Sequence, residues 1–145
     1  SLVVMAGGIV ALGDTLFPAT SLIEGIKADF NENSHFLIRL RAIHPILAII
    51  SAFGTIYLVD EIRDKVVHPK IERIGKWLTF AVLFQVAFGA LNVFLLAPVW
   101  MQLGHLAIAD VIWLLMTGLL FETNLVMIYD ETGLSSFLGE AQLAD

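Results

Sequence analysis

The chain has 145 residues, of which 58% are hydrophobic and only 15% are charged, and its mean hydropathy is +0.84. Soluble domains are about 45–50% apolar and about 25% charged, so this composition argues against a soluble globular domain and against disorder. The formal charge of −6 at pH 7 gives no support to nucleic-acid binding. The absence of cysteine excludes disulfides, thiolate–zinc sites, iron–sulfur clusters and cysteine nucleophiles. The composition therefore predicts a protein that is embedded in the lipid bilayer.

Four apolar segments predict membrane-crossing helices, because about 20 apolar residues cross about 30 Å of hydrocarbon. We place these helices at residues 1–13, 36–59, 74–97 and 102–128. Pro98 separates the last two, since proline lacks the N–H that a continuing helix needs. A signal peptide is the alternative for the first segment, but no basic region precedes the apolar stretch. We favour a spanning helix whose first turns precede Ser1.

The distribution of basic residues predicts the orientation. Residues 62–76 contain five of the eight Lys and Arg, whereas residues 14–35 contain one, Lys27. The positive-inside rule then places the connection between the second and third helices in the cytoplasm, together with both termini. We expect an all-α, antiparallel transmembrane four-helix bundle over residues 1–129, followed by a polar, acidic tail at residues 130–145.

Two histidines lie within the predicted spans, where polar groups are costly. His44 is near the outer end of the second helix and His105 is near the outer start of the fourth, so the topology puts them at similar depth. A buried imidazole pair from facing helices is a common way to hold a haem iron. The alternative is that each histidine forms a helix–helix hydrogen bond. His35 and His68 are interpreted as solvated loop residues.

Small and mildly polar residues share helix faces with these histidines. On the second helix the spacing i, i+4, i+7, i+11 places His44, Ala48, Ser51 and Thr55 on one stripe. On the third helix Gln85, Gly89 and Asn92 repeat this spacing. These stripes predict either the lining of a cofactor slot or close helix packing with interhelical hydrogen bonds. Pro45 is expected to kink the second helix beside the slot.

Three charged residues near the histidines have open roles. Arg39 and Arg41 lie one turn outside His44, where guanidinium groups would anchor haem propionates or extend toward lipid headgroups. Asp110 follows His105 by five residues and therefore points about 140° away from it. Its alternatives are protonation, an ion pair in the interior, or contact with another protein.

The ordered set of these motifs resembles the heme A synthase (cytochrome oxidase assembly) family. The residues that carry the resemblance are ALGDTLFP at 11–18, RLRAIHP at 39–45 and QVAFGALN at 85–92, followed by Pro98 and His105. The resemblance covers about residues 8–121. Full-length members have eight helices in two related halves, each with one histidine pair, and this chain resembles one half.

The resemblance implies that His44 and His105 are the axial ligands of a haem, either b-type or the haem O substrate. It implies an oxidoreductase of the prokaryotic plasma membrane that oxidises the C8 methyl group of haem O to a formyl group for respiratory oxidases. It also implies a homo-oligomer, or association with oxidase subunits.

Two departures from the family pattern bear on catalysis more than on haem binding. Arg41 stands where catalytic halves usually carry a glutamate, and the cysteine pair of many relatives is absent. Asp14 and Glu24, in the first outer loop, are candidate substitutes for that glutamate. The alternative functions are a non-catalytic haem-b accessory or electron-transfer subunit, and a purely structural membrane subunit.

Overall fold

The computed structural model describes residues 2–16, 21, 23–24, 27 and 36–132; for residues 2–4, 14 and 36–42 it describes the backbone alone. Within these ranges the chain forms four helices and no strand: α1 (Leu2–Leu16), α2 (Phe36–Lys65), α3 (Pro69–Phe94) and α4 (Val99–Glu131). Consecutive helices pack against each other, and α1 also touches α4 along a smaller contact. The predicted all-α four-helix fold is confirmed.

Three of the four helices are long and apolar enough to cross a membrane, namely α3, α4 and the Ile43–Lys65 part of α2. The 15 residues of α1 rise about 22 Å, which is less than the thickness of the hydrocarbon core. A full crossing by α1 therefore stays a prediction. The predicted acidic tail lies outside the described residues beyond Thr132, and α4 continues two residues into it.

The long helices extend further than their apolar segments. Helix α2 continues to Lys65 because Glu61 and Lys65 form an ion pair of 2.7 Å at i, i+4 spacing. Helix α3 begins at Pro69, where the missing N–H matters least, since a first-turn amide has no intrahelical partner. Residues predicted as a long basic loop therefore lie mostly on helices, and the α2–α3 connection is only Val66–His68.

The α3–α4 connection is a tight turn that ends α3 before the predicted residue 97. Leu96 and Ala97 have φ values of 59° and 52°, in the left-handed region. The Ala97 N–H donates to the Asn92 carbonyl at 2.8 Å and the Leu96 N–H donates to the Val93 carbonyl at 3.1 Å. These bonds form a Schellman motif. Pro98 follows as the N-cap of α4, so its predicted role as a break is confirmed.

The packed core extends from the middle of the bundle to the end that carries the α2–α3 connection. The fully buried side chains of its cluster are Val59, Ile71, Leu78 and Leu119, and Val82 is nearly so. Gly75 lets α2 approach closely, since a Cβ there would lie 2.8 Å from Arg63 Cδ. The approach permits a bidentate ion pair in which Arg63 Nε and Nη2 each lie 2.7 Å from a Glu72 oxygen.

Candidate functional site

The two membrane histidines lie toward the opposite end of the bundle, which carries the α3–α4 connection. His44 follows the first residue of α2 by eight positions, and His105 follows the first residue of α4 by six. Both histidines therefore lie within about the first three turns of their helices. Both side chains are half-buried, and the two imidazoles are close enough to interact electrostatically. The predicted similarity in depth agrees with this placement.

The imidazole of His44 packs against Gly7 of α1. A Cβ built on Gly7 would lie 3.0 Å from His44 Cε1 and 3.4 Å from Nε2, tighter than ordinary van der Waals contact. Any larger residue at this position would push the ring aside. The neighbouring Gly8 has open space around its Cβ position. The missing side chain of Gly7 therefore leaves a space that the ring of His44 fills, and we call such a space a glycine socket.

The imidazole of His105 occupies an equivalent socket on α3. A Cβ built on Gly89 would lie 2.9 Å from His105 Cε1. Phe88 lies beside the same ring, with centroids 6.4 Å apart and planes inclined by 7°. The His105 ring thus packs against the backbone of Gly89 and the aromatic ring of Phe88, the residue before it. Each histidine lies on one helix and its glycine lies on the preceding helix.

Gln85 holds His105 through a single amide nitrogen. Gln85 Nε2 donates to the His105 carbonyl oxygen at 3.0 Å and lies 3.1 Å from His105 Nε2. An amide nitrogen donates and does not accept, so the second contact is a hydrogen bond for the tautomer whose proton is on Nδ1. The interhelical hydrogen bond that the sequence offered as an alternative for Gln85 is therefore present, and it binds a predicted iron ligand.

Several buried polar atoms around this site have no hydrogen-bond partner. They are Nδ1 of His44, Nδ1 of His105, Oε1 of Gln85 and Oδ1 of Asn92. An unsatisfied buried polar group costs about 1–3 kcal/mol, so such atoms are normally paired. Asn92 lies on the half-buried face of α3 with Gln85, as the predicted stripe requires. This end of the bundle therefore contains several buried polar atoms that lack hydrogen bonds.

The predicted stripe on α2 is displaced. Ala48 and Thr55 are half-buried, but Ser51 is exposed and Ala52 packs toward the core. Adjacent helical residues differ by about 100° in direction, so a face centred on Val59 and Ala52 turns Ser51 outward. The position of Ser51 does not support the predicted cofactor-lining role. Helix α2 continues through Pro45, and the expected kink stays a prediction.

The arginines and the candidate carboxylates fall mainly outside the described side chains. Arg39 and Arg41 lie on the first turns of α2, and their side chains are outside the described residues. Asp14 lies on α1 rather than in a loop, and its side chain is likewise outside them. Glu24 is exposed. The propionate-anchoring and catalytic-substitute roles of these four residues stay predictions.

Asp110 and His68 are placed more clearly. Asp110 is exposed on α4, so an ion pair in the interior is wrong, and protonation or contact with another protein remains. His68 lies in the α2–α3 connection as predicted. It is half-buried rather than fully solvated, and its Nδ1 is buried without a partner. His35 lies outside the described residues.

The geometry adds two residues that sequence reasoning did not assign to the site. Gly7 lies in an apolar segment where a glycine indicates only flexibility or close packing. Phe88 follows Phe80 and Phe84 at i+4 intervals, and these rings stack with centroids 6.2 and 5.8 Å apart. The i+4 spacing was the available signal, because residues at this interval share a helix face.

The donor set fits a haem iron better than a bare metal ion. Within the described parts of the chain, no group of three or more His, Asp or Glu side chains converges to hold a metal. A haem iron needs only one or two protein ligands, which two imidazoles provide. The shallow surface groove along α3 and α4 includes neither histidine. The match to a haem therefore rests on the two rings and their sockets.

Comparisons with known proteins give one family and two relatives. The family model described as cytochrome oxidase assembly protein matches residues 1–117. Two curated relatives named protoheme IX farnesyltransferase, from two strains of Thermus thermophilus, are 40% and 39% identical over 114 residues. The match covers 77% of this chain and 18% of each relative, so the chain spans about a fifth of their length. No solved structure matches significantly.

Proposed function

Because the chain belongs to the cytochrome oxidase assembly protein family, the heme A synthase family that its motifs resemble, we propose that His44 and His105 ligate a haem. The chain is an integral membrane protein with several spans, like the prokaryotic members of this family. The observation that carries the proposal is the matched pair of half-buried imidazoles at one end of the bundle, each in a glycine socket. The relatives' name also refers to a haem, which supports a role in haem metabolism.

The proposed activity is oxidation of the C8 methyl group of haem O to a formyl group, which supplies haem for respiratory oxidases. When bound, a haem supplies redox-active iron. The conversion of a methyl to a formyl group takes the oxygen of one water and releases four electrons and four protons. The electrons require a separate redox partner as acceptor. The protein's own part is to ligate the iron and to orient the porphyrin.

Within the site, the residues of the chain have distinct proposed tasks. The glycine sockets orient the two rings, and Gln85 holds His105 as the Nδ1–H tautomer before haem arrives. The sequence positions of Arg39 and Arg41, at the same end of α2, suit propionate carboxylates. Phe88 helps to orient the ring of His105 by packing beside it.

A haem-b accessory or electron-transfer subunit is the second candidate. The observation that favours it is Arg41, which replaces the glutamate expected in catalytic halves. In either role, self-association or docking with oxidase subunits is part of the proposal, as the resemblance to one half of full-length family members implies.

Spectroscopy of the purified chain with added haem tests the ligand assignment. We expect a six-coordinate, low-spin spectrum that His44→Ala and His105→Ala each convert to high spin or abolish. His68→Ala is the matched control, since His68 is also half-buried but lies at the other end of α3. An unchanged spectrum in both site variants would overturn the assignment and leave a structural subunit.

Co-expression with a source of haem O separates the two candidate functions. Extraction and chromatography of the pigments should yield haem A if the chain is the enzyme. Haem O alone, with an intact bis-histidine spectrum, would favour the accessory subunit. Stoichiometric co-purification with oxidase subunits would support the same conclusion.

A further inference from the structure

A shallow groove runs along the outer surface of α3 and continues between α3 and α4, and neither histidine of the pair lines it. Its first part, near the α2–α3 connection, is lined by polar residues that include Arg73 and Lys76. Its second part is lined only by apolar side chains, among them Phe84, Ile108 and Val111. Trp77 and Phe80 line both parts, so the two form one surface channel.

The polar end of this groove has a surplus of positive charge. Arg73 is exposed and forms no ion pair with any described residue. Lys76 Nζ lies 3.0 Å from a Glu72 oxygen, but both oxygens of Glu72 are already bound by the guanidinium of Arg63. Arg63 also pairs with Asp60 at 3.3 Å, so Lys76 shares Glu72 with a guanidinium that has a second carboxylate, and Arg73 is the cation of the groove that has no such pair. An anionic group is the complementary ligand for this end.

The groove is comparable in length with half of a bilayer core. Eight residues separate Lys76 from Phe84, which corresponds to about 12 Å along α3. Half of a hydrocarbon core is about 15 Å thick. Trp77 and Phe80, at the junction, are 60% and 59% exposed. Such amphipathic and aromatic residues are typical of the membrane interface.

We propose that this groove binds an anionic phospholipid of the leaflet at the α2–α3 end. Its phosphate contacts Arg73 and Lys76, and one acyl chain lies along Phe80, Phe84 and Val111. Charge complementarity at one end and matching length along the other select this occupant over a zwitterionic lipid. The site shares no residue with the histidine pair, so it is independent of haem binding.

Lipid retention by the full chain tests the proposal. The chain is reconstituted in nanodiscs with equal phosphatidylglycerol and phosphatidylcholine, released into detergent, and its bound lipids are counted by native mass spectrometry. We expect about a fivefold preference for phosphatidylglycerol, as one unpaired cation near a membrane surface provides. The double variant Arg73→Gln, Lys76→Gln should retain the two lipids about equally, and Arg73→Lys should keep most of the preference.

Two further variants make the result specific to the groove. Lys65→Gln removes an equally exposed cation that lies outside the groove and pairs with Glu61, so the preference should persist. Val111→Trp fills the apolar part and should reduce retention of both lipids. Equal retention of the two lipids by the wild-type chain, an equal effect of Lys65→Gln, or no effect of Val111→Trp would each overturn the proposal.

Discussion

The two ends of the bundle are built on opposite principles. Toward the α2–α3 connection, apolar side chains are fully buried and ion pairs join the helices: Arg63 with Glu72, and Lys70 with Glu122 at 3.5 Å. Toward the α3–α4 connection, the contacts are imidazoles against glycine backbones, and buried polar atoms lack partners. Buried polar atoms without partners occur at both ends, but the large apolar cluster lies at the first end and four of the unpartnered atoms surround the histidines at the second. Stability and ligand binding should therefore be separable by mutation.

Leu119→Ala is expected to have the largest effect, and on stability alone. Leu119 is fully buried, and its truncation leaves a cavity. We expect a loss of about 2 kcal/mol, at the low end for a buried leucine because lipid is as apolar as the core. Thermal unfolding in detergent measures the loss. Leu114→Ala is the control, since Leu114 is 74% exposed. Loss of haem affinity in the folded variant would contradict the separation.

Arg63→Gln should destabilise the same end modestly, because its partner Glu72 is 43% exposed and solvent screens the ion pair. The substitution breaks the bidentate pair with Glu72, in which Arg63 is 26% exposed. The melting temperature should fall while the haem spectrum stays constant. Lys65→Gln serves as control, because Lys65 is 76% exposed and its pair with Glu61 lies within one helix.

Alanine in either glycine socket should weaken haem binding about tenfold. The added Cβ displaces the ring of His105 or of His44, and an off-rotamer side chain costs about 0.5–1.5 kcal/mol before ligation is considered. Haem titration of Gly89→Ala and Gly7→Ala measures the effect. Gly8→Ala is the matched control, with open space around its Cβ. Equal affinities for all three variants would show that the sockets do not position the rings.

Gln85→Leu should have the smallest effect and the opposite sign. The Gln85 amide occupies Nε2 of His105 in the haem-free chain, so its removal takes away a competitor for that nitrogen. One neutral hydrogen bond contributes about 1 kcal/mol, or about a fivefold gain in haem affinity. Asn124→Leu, which removes an exposed amide bonded to the Leu120 carbonyl within α4, should leave the affinity unchanged. Weaker binding by Gln85→Leu would mean that the amide positions the ring.

The sequence predicted the helices well because apolar runs of this length have few alternatives. It placed their ends too early where charged residues continue a helix, as with Glu61 and Lys65 of α2. A hydropathy pattern predicts a loop at those charged residues, whereas an i, i+4 ion pair at the membrane interface is compatible with a helix.

The candidate site was predictable only in part. The histidines, Gln85 and Asn92 followed from polarity inside apolar segments. Ser51 was misplaced because a stripe extrapolated from one histidine ignores the direction of the core, which Val59 fixes. Gly7 was missed because the approach of two helices distant in sequence leaves no local signal. Such contacts depend on tertiary packing rather than on local pattern.

The short turn at Leu96 and Ala97 has a consequence for the order of assembly. Gln85, Gly89 and His105 lie within 20 residues of one another on a single hairpin, whereas Gly7 and His44 meet across 37 positions of chain. Local contacts form before distant ones, because closing a longer loop costs more entropy. When the complete chain refolds from a denatured state, the His105 half is thus expected to form before the His44 half.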